Sequence, residues 1–194
     1  MTRVAAVVLA AGWSARFGAN KLLAPIFGKP VVRHVVEAAL ASCASPVVVV
    51  TGSSALAVAS ALSGLPIEIV ENQAFAEGLS ASLKCGVRNV PTNCEGAVIL
   101  LGDMPFVRPG LIDALIEAFD PPNHRAICVP VRSGRRGNPV LWNRAFFPEL
   151  LTLEGDAGAK RLMALHEDVL YELEAGDDGP LIDIDTPEDL KAHE

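Results

Sequence analysis

Val47-Val48-Val49-Val50 and Ala97-Val98-Ile99-Leu100-Leu101 are two unbroken apolar runs, rich in β-branched side chains and too short for stable helices. A strand with one face in water alternates apolar and polar residues. A strand without alternation is covered on both faces, as in a parallel sheet between two helix layers. Residues 4–10 have the same character. Working outward, strand patterns at 4–10, 46–51, 67–71, 97–101, 126–131 and 139–142 alternate with helical patterns at 31–41, 55–62, 79–89, 111–119, 144–151 and 157–165. The β-α-β-α order predicts a three-layer α/β/α fold with a mostly parallel, Rossmann-like sheet. Ligands of such sheets sit beyond the carboxyl ends of the strands.

After about residue 125 the order changes. The segments 129–131 and 139–142 flank Arg132-Ser133-Gly134-Arg135-Arg136-Gly137, a hairpin-like turn, so the sheet is expected to be mixed. No repeat, low-complexity tract or linker interrupts the chain, and residues 1–194 read as one domain.

Composition narrows the function. Hydrophobic residues make up 51% of the 194, which excludes a disordered chain. No apolar run reaches the roughly 18 residues of a membrane span. The apolar start at residue 4 runs into a Gly/Ser/Arg loop and reads as a buried strand, not a signal peptide. Cys43, Cys85, Cys94 and Cys128 lack CxxC spacing and a histidine at ligand distance, so reduced, mostly buried thiols of a cytoplasmic protein are expected, with no zinc site. The net charge of −7 argues against nucleic acid. Yet residues 1–36 carry Arg3, Arg16, Lys21, Lys29 and Arg33 and no acid. A locally basic segment in an acidic protein suits a small anionic ligand.

That segment holds Leu9-Ala10-Ala11-Gly12-Trp13-Ser14-Ala15-Arg16-Phe17-Gly18, with Lys21 close behind. Small residues at 10–12 let the backbone approach a ligand, and successive N–H groups in such a turn form an anion-binding concavity. Arg16 adds a planar charged fork and Lys21 a mobile point charge. A Walker A loop is absent, since Gly28-Lys29 is followed by Pro30, and no GxGxxG follows the first strand. The plainer alternative is a strand-to-loop turn without a ligand.

The string Leu9-Ala10-Ala11-Gly12-x-Ser14-x-Arg16-Phe17-Gly18-x-x-Lys21-Leu22-Leu23-x-Pro25 resembles the signature of the MobA-like nucleotidyltransferases. It looks most like the molybdenum cofactor cytidylyltransferases, and the resemblance runs from about residue 4 to 190. It implies a nucleotide-diphospho-sugar transferase fold, with Ala11, Gly12, Arg16 and Lys21 on the triphosphate and Leu9 and Ala10 also among the nucleotide-binding residues. The Ala-Ala-Gly form, with Ala11 in place of a second glycine, implies CTP rather than GTP. Trp13 covers the nucleotide or is a half-exposed loop aromatic.

Leu100-Leu101-Gly102-Asp103-Met104-Pro105 ends a strand at the ligand edge. A carboxylate there holds Mg²⁺ or Mn²⁺ against phosphate oxygens, or caps the next helix. The separation by Pro105 and Pro109, and the Gly-Asp-x-Pro resemblance, favour the metal at Asp103. In Ile182-Asp183-Ile184-Asp185-Thr186-Pro187-Glu188-Asp189, residues 186–189 read as a helix start, leaving Asp183 and Asp185 over. The resemblance places the second metal ligand in this string, and Asp183 is preferred to Asp185.

The segment Asn72-x5-Gly78-Leu79-Ser80-x-Ser82 suits two roles. Its serines cap a helix, or, as the resemblance implies, Gly78 and Ser82 meet the cytosine base. Arg135-Arg136-Gly137-Asn138 and Gly155-Asp156 resemble acceptor-facing motifs, giving Arg136, Asn138 and Asp156 as acceptor ligands, although relatives carry His where Asn138 stands. A solvated hairpin tip is the alternative for the arginines.

The implied reaction transfers CMP from CTP to molybdopterin and releases pyrophosphate, with Arg16, Lys21 and Asp103 as the catalytic groups. A phosphate dianion needs no protein base, which agrees with the lack of a nucleophile–histidine grouping. Transient contact with molybdoenzymes of the xanthine dehydrogenase type, or with their chaperones, is implied. The rival readings are transfer to a sugar or polyol phosphate, a non-catalytic nucleotide-binding accessory protein, and an oxidoreductase on a related scaffold.

Overall fold

The first apolar run forms strand β1 (Val4–Ala10), and every residue in it is buried. The computed structural model describes residues 2–12, 17, 20–155 and 158–192. Along β1, Val4, Ala6, Val8 and Ala10 pack into one helix layer, while Ala5, Val7 and Leu9 pack into the other. Both faces are therefore dry, and no polar residue is tolerated within the strand.

Next come β2 (Pro25–Ile26) and β3 (Lys29–Pro30), which pair only with each other. The chain continues through α1 (Val31–Leu40), β4 (Val47–Thr51), α2 (Ala55–Ala61) and β5 (Glu68–Glu71). It returns through α3 (Leu79–Arg88), β6 (Gly96–Leu101) and α4 (Pro109–Ala118). The second half adds β7 (Ile127–Arg132), β8 (Arg135–Arg136), β9 (Val140–Asn143) and α5 (Phe147–Leu150). It closes with α6 (Gly158–Leu165), β10 (Leu170–Glu174) and α7 (Pro187–Ala192).

The main sheet has the order β10-β7-β9-β6-β1-β4-β5, with β8 attached to β7. β1 lies parallel to β4 and β6, β4 to β5, and β7 to β10. β9 runs antiparallel to both neighbours, β6 and β7. The expected three-layer, mostly parallel but mixed sheet is borne out, including the change of pattern after residue 125. From β1 the chain moves outward to β4 and β5, then crosses back to β6 on the other side of β1. The connections diverge at the carboxyl end of β1, which opens a crevice there.

One layer packs Val32, Val35 and Val36 of α1, Val58 of α2, and Ile112 and Leu115 of α4 against the sheet. The other packs Leu83 and Val87 of α3, Phe147 and Leu150 of α5, and Leu162 and Met163 of α6. Each such side chain contributes about 1.5–3 kcal/mol through burial. Glycines set the closest approaches near the crevice. A Cβ on Gly52, just past β4, would lie 2.7 Å from the carbonyl oxygen of Ala11 and 2.8 Å from Cβ of Phe75. One on Gly102 would lie 2.9 Å from the carbonyl oxygen of Leu9.

Three points depart from expectation. The stretch 144–151 is not one helix but a 3-10 turn, Arg144–Phe146, followed by the short α5. β10 was not anticipated, because Leu170-Tyr171-Glu172-Leu173-Glu174 carries two glutamates, poor strand formers. It is an edge strand only partly buried, so the glutamates stay near water. The thiols are free in the described residues, but Cys43 is exposed and only Cys94 and Cys128 are buried. Burial pushes the Cys128 thiol up to about 12, so it stays protonated and inert at neutral pH. No helix among the described residues is long and apolar enough to cross a membrane.

Gly86 in the middle of α3 lets that helix lie directly on β1 and β4. A Cβ there would collide with Val7 Cγ1 and come within 3.1 Å of Val50 Cγ2. Replacing a helical glycine by alanine gains up to about 1 kcal/mol in propensity, but overpacking a dry core costs about 1–3 kcal/mol. Gly86→Ala is therefore expected to lower the urea midpoint despite its better helix propensity, and an unchanged or raised midpoint would contradict this packing.

Candidate active site

At the crevice, β1 ends with Leu9, whose carbonyl accepts from the N–H of Gly102 at 2.9 Å. This bond joins the loop after β1 to the loop after β6. Ala10 points away from the crevice into the core, whereas Leu9, Ala11 and Gly12 line it. Gly12 is exposed, with no atom within 4 Å of the place a Cβ would take. Arg16, expected on the triphosphate, lies outside the described residues, as does Asp156, expected at the acceptor.

Lys21 opens a 3-10 turn, Lys21–Leu23. The turn is fixed by Asn20 Oδ1, which accepts from the N–H of Leu22 at 3.0 Å, and by burial of Leu22. The Lys21 ammonium lies 2.6 Å from Asp103 Oδ2 and 2.7 Å from Asp185 Oδ1. Its side chain is 15% exposed. Burial pulls its pKa down, but the carboxylates of Asp103 and Asp185 outweigh that and hold it above the ordinary lysine value. It is a full cation at neutral pH.

Asp103 stands two residues beyond β6, and its carbonyl accepts from the N–H of Ile184 at 2.9 Å. Ile184 is buried with Ile26 and Val31. In an extended segment neighbours alternate sides. Burying Ile184 therefore turns Asp183 and Asp185 away from that cluster. Beyond them, Asp189 Oδ2 accepts from the N–H of Thr186 at 2.7 Å and from its hydroxyl at 2.9 Å, while the N–H of Asp189 donates back to Thr186 Oγ1. The reading of residues 186–189 as the start of a helix is what α7 shows. The structure unites Asp103 with Asp185 on one ammonium, and places Asp183, preferred from the sequence, on a neighbouring cavity.

Two cavities meet here. One, of about 540 Å³, is lined by Leu9, Ala11, Gly12, Lys21, Gly78, Ser82 and Asp103 among others. These are the residues expected on the nucleotide, Ala10 and Arg16 excepted. The second, of about 890 Å³, holds Arg135, Arg136, Asn138 and Asp183. Leu9, Leu79 and Leu101 line both and form the shared wall.

The 72–82 segment is held from within. Asn72 is buried; its Oδ1 accepts from the N–H of Ala74 at 3.0 Å and its Nδ2 donates to Ser82 Oγ at 3.2 Å. Neither Ser80 nor Ser82 caps α3; both are buried inside its first turns, and Gly78 takes the N-cap position with φ 97°. That positive φ strains any other residue. Asn72 as the brace of this loop was not singled out from the sequence, although a polar residue just after a strand was the available signal.

In the larger cavity the floor is apolar, with Leu83, Ile99, Val140, Trp142 and Met163. Arg136 is held by two carboxylates. Its Nη atoms donate to both oxygens of Glu167 at 2.8 Å and its Nε to Glu172 at 2.6 Å. These bonds raise the guanidinium pKa and hold the Glu167 carboxyl below its usual range. Arg135 and Lys160 line the same cavity with no side-chain hydrogen bond or ion pair among the described residues. The segment of Asn138 is clipped in place, its N–H donating to the carbonyl of Pro180 at 2.9 Å. The described histidines form no catalytic group: His34 Nε2 bonds the carbonyl of Ile26, and His166 pairs with Glu149.

The donor set fits a small hard cation. Asp103 Oδ1 is buried without a hydrogen-bond partner, beside Asp185. No cluster of three or more His, Cys, Asp or Glu ligands occurs among the described residues. One or two carboxylates plus phosphate oxygens and water is the coordination Mg²⁺ prefers.

The chain resembles known proteins in both sequence and fold. The model of the MobA-like NTP transferase domain matches residues 6–169. The chain is 33% identical to the purine catabolism protein PucB of Bacillus subtilis, over 94% of this chain and 92% of that protein. It is 26% identical to the molybdenum cofactor cytidylyltransferase of Escherichia coli, over 98% and 95%. Among solved structures, Rv0371c of Mycobacterium tuberculosis superposes with a TM-score of 0.87 at 30% identity, covering 98% of this chain and 97% of that one. A complex of the same protein with manganese gives 0.81 at 28% identity, covering 99% and 98%.

The ion triad sets a pH signature. A lysine whose folded pKa is raised adds stability that is fully present below its unfolded pKa and is lost as pH rises through the folded value. Asp103→Asn removes the larger of the two carboxylate contributions. The Lys21 ammonium is then expected to titrate at lower pH than in the wild type, as read by NMR of its ε-methylene. A variant titrating at the same or higher pH would contradict the ion triad.

Proposed function

This chain belongs to the MobA-like NTP transferase family and is a nucleotidyltransferase, and from that premise we propose that it transfers CMP from CTP to molybdopterin, giving the cytosine dinucleotide. The observation that carries the reading is the shared wall of Leu9, Leu79 and Leu101 between two cavities of different chemistry. The smaller holds the cationic and acidic groups a triphosphate needs. The larger has an apolar floor of Trp142, Met163, Ile99 and Val140 beneath a rim where Arg135, Arg136 and Lys160 stand with Glu172 and Asp183. A fused ring system bearing a phosphate can lay one face on that floor. A sugar or polyol would leave hydroxyls there without partners, at a cost of about 1–3 kcal/mol each. Ala11, which stands where GTP-using relatives tend to carry a second glycine, supports CTP as the donor.

In the proposed reaction a terminal phosphate oxygen of the acceptor attacks the α-phosphorus of CTP. A new P–O bond forms, the bond from the α-phosphorus to the β-bridging oxygen breaks, and its electron pair leaves with pyrophosphate. No proton moves, so no base is needed. Lys21 neutralises charge on the triphosphate, with Arg16 assigned the same task from the sequence. The loop N–H groups at Ala11 and Gly12 are assigned to the same anion, and Gly78 and Ser82, braced by Asn72, to the base. Asp103 with Asp185, or with Asp183 from the acceptor side, would hold Mg²⁺ or Mn²⁺, which when bound withdraws charge from the phosphate oxygens. Asn138 and Arg135, with Lys160 across the cavity, are assigned to the acceptor. Arg136 is assigned as a strut through Glu167 and Glu172. The name of the Bacillus relative supports a recipient enzyme of the xanthine dehydrogenase type, since xanthine is a purine.

Pyrophosphate release with molybdopterin is expected with CTP and to fall at least about tenfold with GTP; equal or preferred use of GTP would overturn the donor assignment. Asp103→Ala is expected to lower turnover by about 10²-fold or more, and a near wild-type rate would reject its role. Arg135→Ala should raise the KM for the acceptor with little effect on the melting temperature. Arg136→Ala should lower the melting temperature instead, and the reverse pattern would exchange their assignments.

A further inference from the structure

The ammonium of Lys21 sits where the carboxylates of Asp103 and Asp185 converge, 2.6 Å from one and 2.7 Å from the other. That point is the natural seat of a divalent ion between two acidic ligands. Asp103 Oδ1, the oxygen the ammonium does not take, is buried and has no partner. The backbone of Lys21 is fixed by the Asn20 cap and buried Leu22, but the side chain has a flexible four-carbon stem. An ammonium and a divalent ion cannot share a seat of this size, because like charges a few ångströms apart in a partly buried site repel strongly. A triphosphate changes the balance. It lies along the same cavity, which Lys21, Gly12 and Asp103 all line, and gives the ammonium another anion to pair with.

The geometry points to Lys21 as a placeholder cation: it occupies the metal seat until a nucleoside triphosphate draws it away, so that metal and nucleotide bind as a coupled pair. The inference rests on the reading of this cavity as a triphosphate site. It predicts that free divalent metal is excluded in the resting protein and that nucleotide admits it. The same lysine thereby guards the two carboxylates and contacts the substrate, which links the order of binding to one side chain.

Mn²⁺ binding to the full chain, followed by electron paramagnetic resonance without nucleotide, tests this. Lys21→Met keeps the length of the side chain and removes the charge; Lys21→Gln replaces it if that variant fails to fold. Either is expected to bind Mn²⁺ alone about tenfold or more tightly than the wild type, within the usual range of coupling between sites. Lys21→Arg retains the charge and should show no such gain. In the wild type, added CTP should raise Mn²⁺ affinity, and in Lys21→Met this enhancement should shrink. Equal or weaker Mn²⁺ binding by both neutral variants, with CTP still enhancing binding to the wild type, would overturn the placeholder role and leave the site reading standing. Absence of Mn²⁺ binding in every variant, with and without CTP, would overturn both.

Discussion

The ion triad of Lys21, Asp103 and Asp185 is the constraint around which the site is organised. It brings together the loop after β1, the loop after β6 and the segment before α7, which are far apart in the chain: Lys21 and Asp185 are separated by 164 positions. Each carboxylate sits on a well-anchored backbone. Asp103 is fixed through the bond from Ile184 to its carbonyl, and Asp185 by the burial of Ile184 and the bond of its N–H to Asp189. Removing one partner of such a partly buried pair leaves charge uncompensated. The triad is thus at once a local structural tie and the electrostatic centre of the crevice.

The sheet explains why the triad lies where it does. β1 is dry on both faces, which forces it to the centre, and the chain reverses its direction of travel across the sheet there. A crevice at that reversal comes without special design. Gly52 and Gly102 then let the flanking loops close on Ala11 and Leu9, which line the smaller cavity. The antiparallel β9, with β8 and β10, contributes to the second cavity, and Trp142 at its floor comes from β9. The smaller cavity is thus lined by residues between Leu9 and Asp103, whereas the larger draws on both halves of the chain.

Much of this was legible in the residues. Unbroken apolar runs declared a doubly covered sheet, and an aspartate just past a strand marked the edge where the crevice opens. Lys21 and Asp103 were singled out separately, and the structure brings them together. The choice between Asp183 and Asp185 was not legible. Alternation turns both away from buried Ile184, and which one meets Lys21 depends on a contact across the whole chain. The capture of Arg136 was hidden for a related reason, since one of its partners, Glu172, stands on the unanticipated β10. Ser82 looked equally like a cap or a base contact; its bond to Asn72 needed the loop's three-dimensional path. Tertiary pairing, not local propensity, decided all three cases.

The account stands on the smaller cavity being the seat of a triphosphate and its metal. A crystal structure with Mn²⁺ and a non-hydrolysable CTP analogue tests it most directly. The prediction is an anomalous manganese peak within coordination distance of Asp103 Oδ1, roughly 2.1 Å, with the Lys21 ammonium moved from Asp185 onto a phosphate oxygen. Manganese and nucleotide bound elsewhere, with Lys21 still bridging the two aspartates, would contradict it.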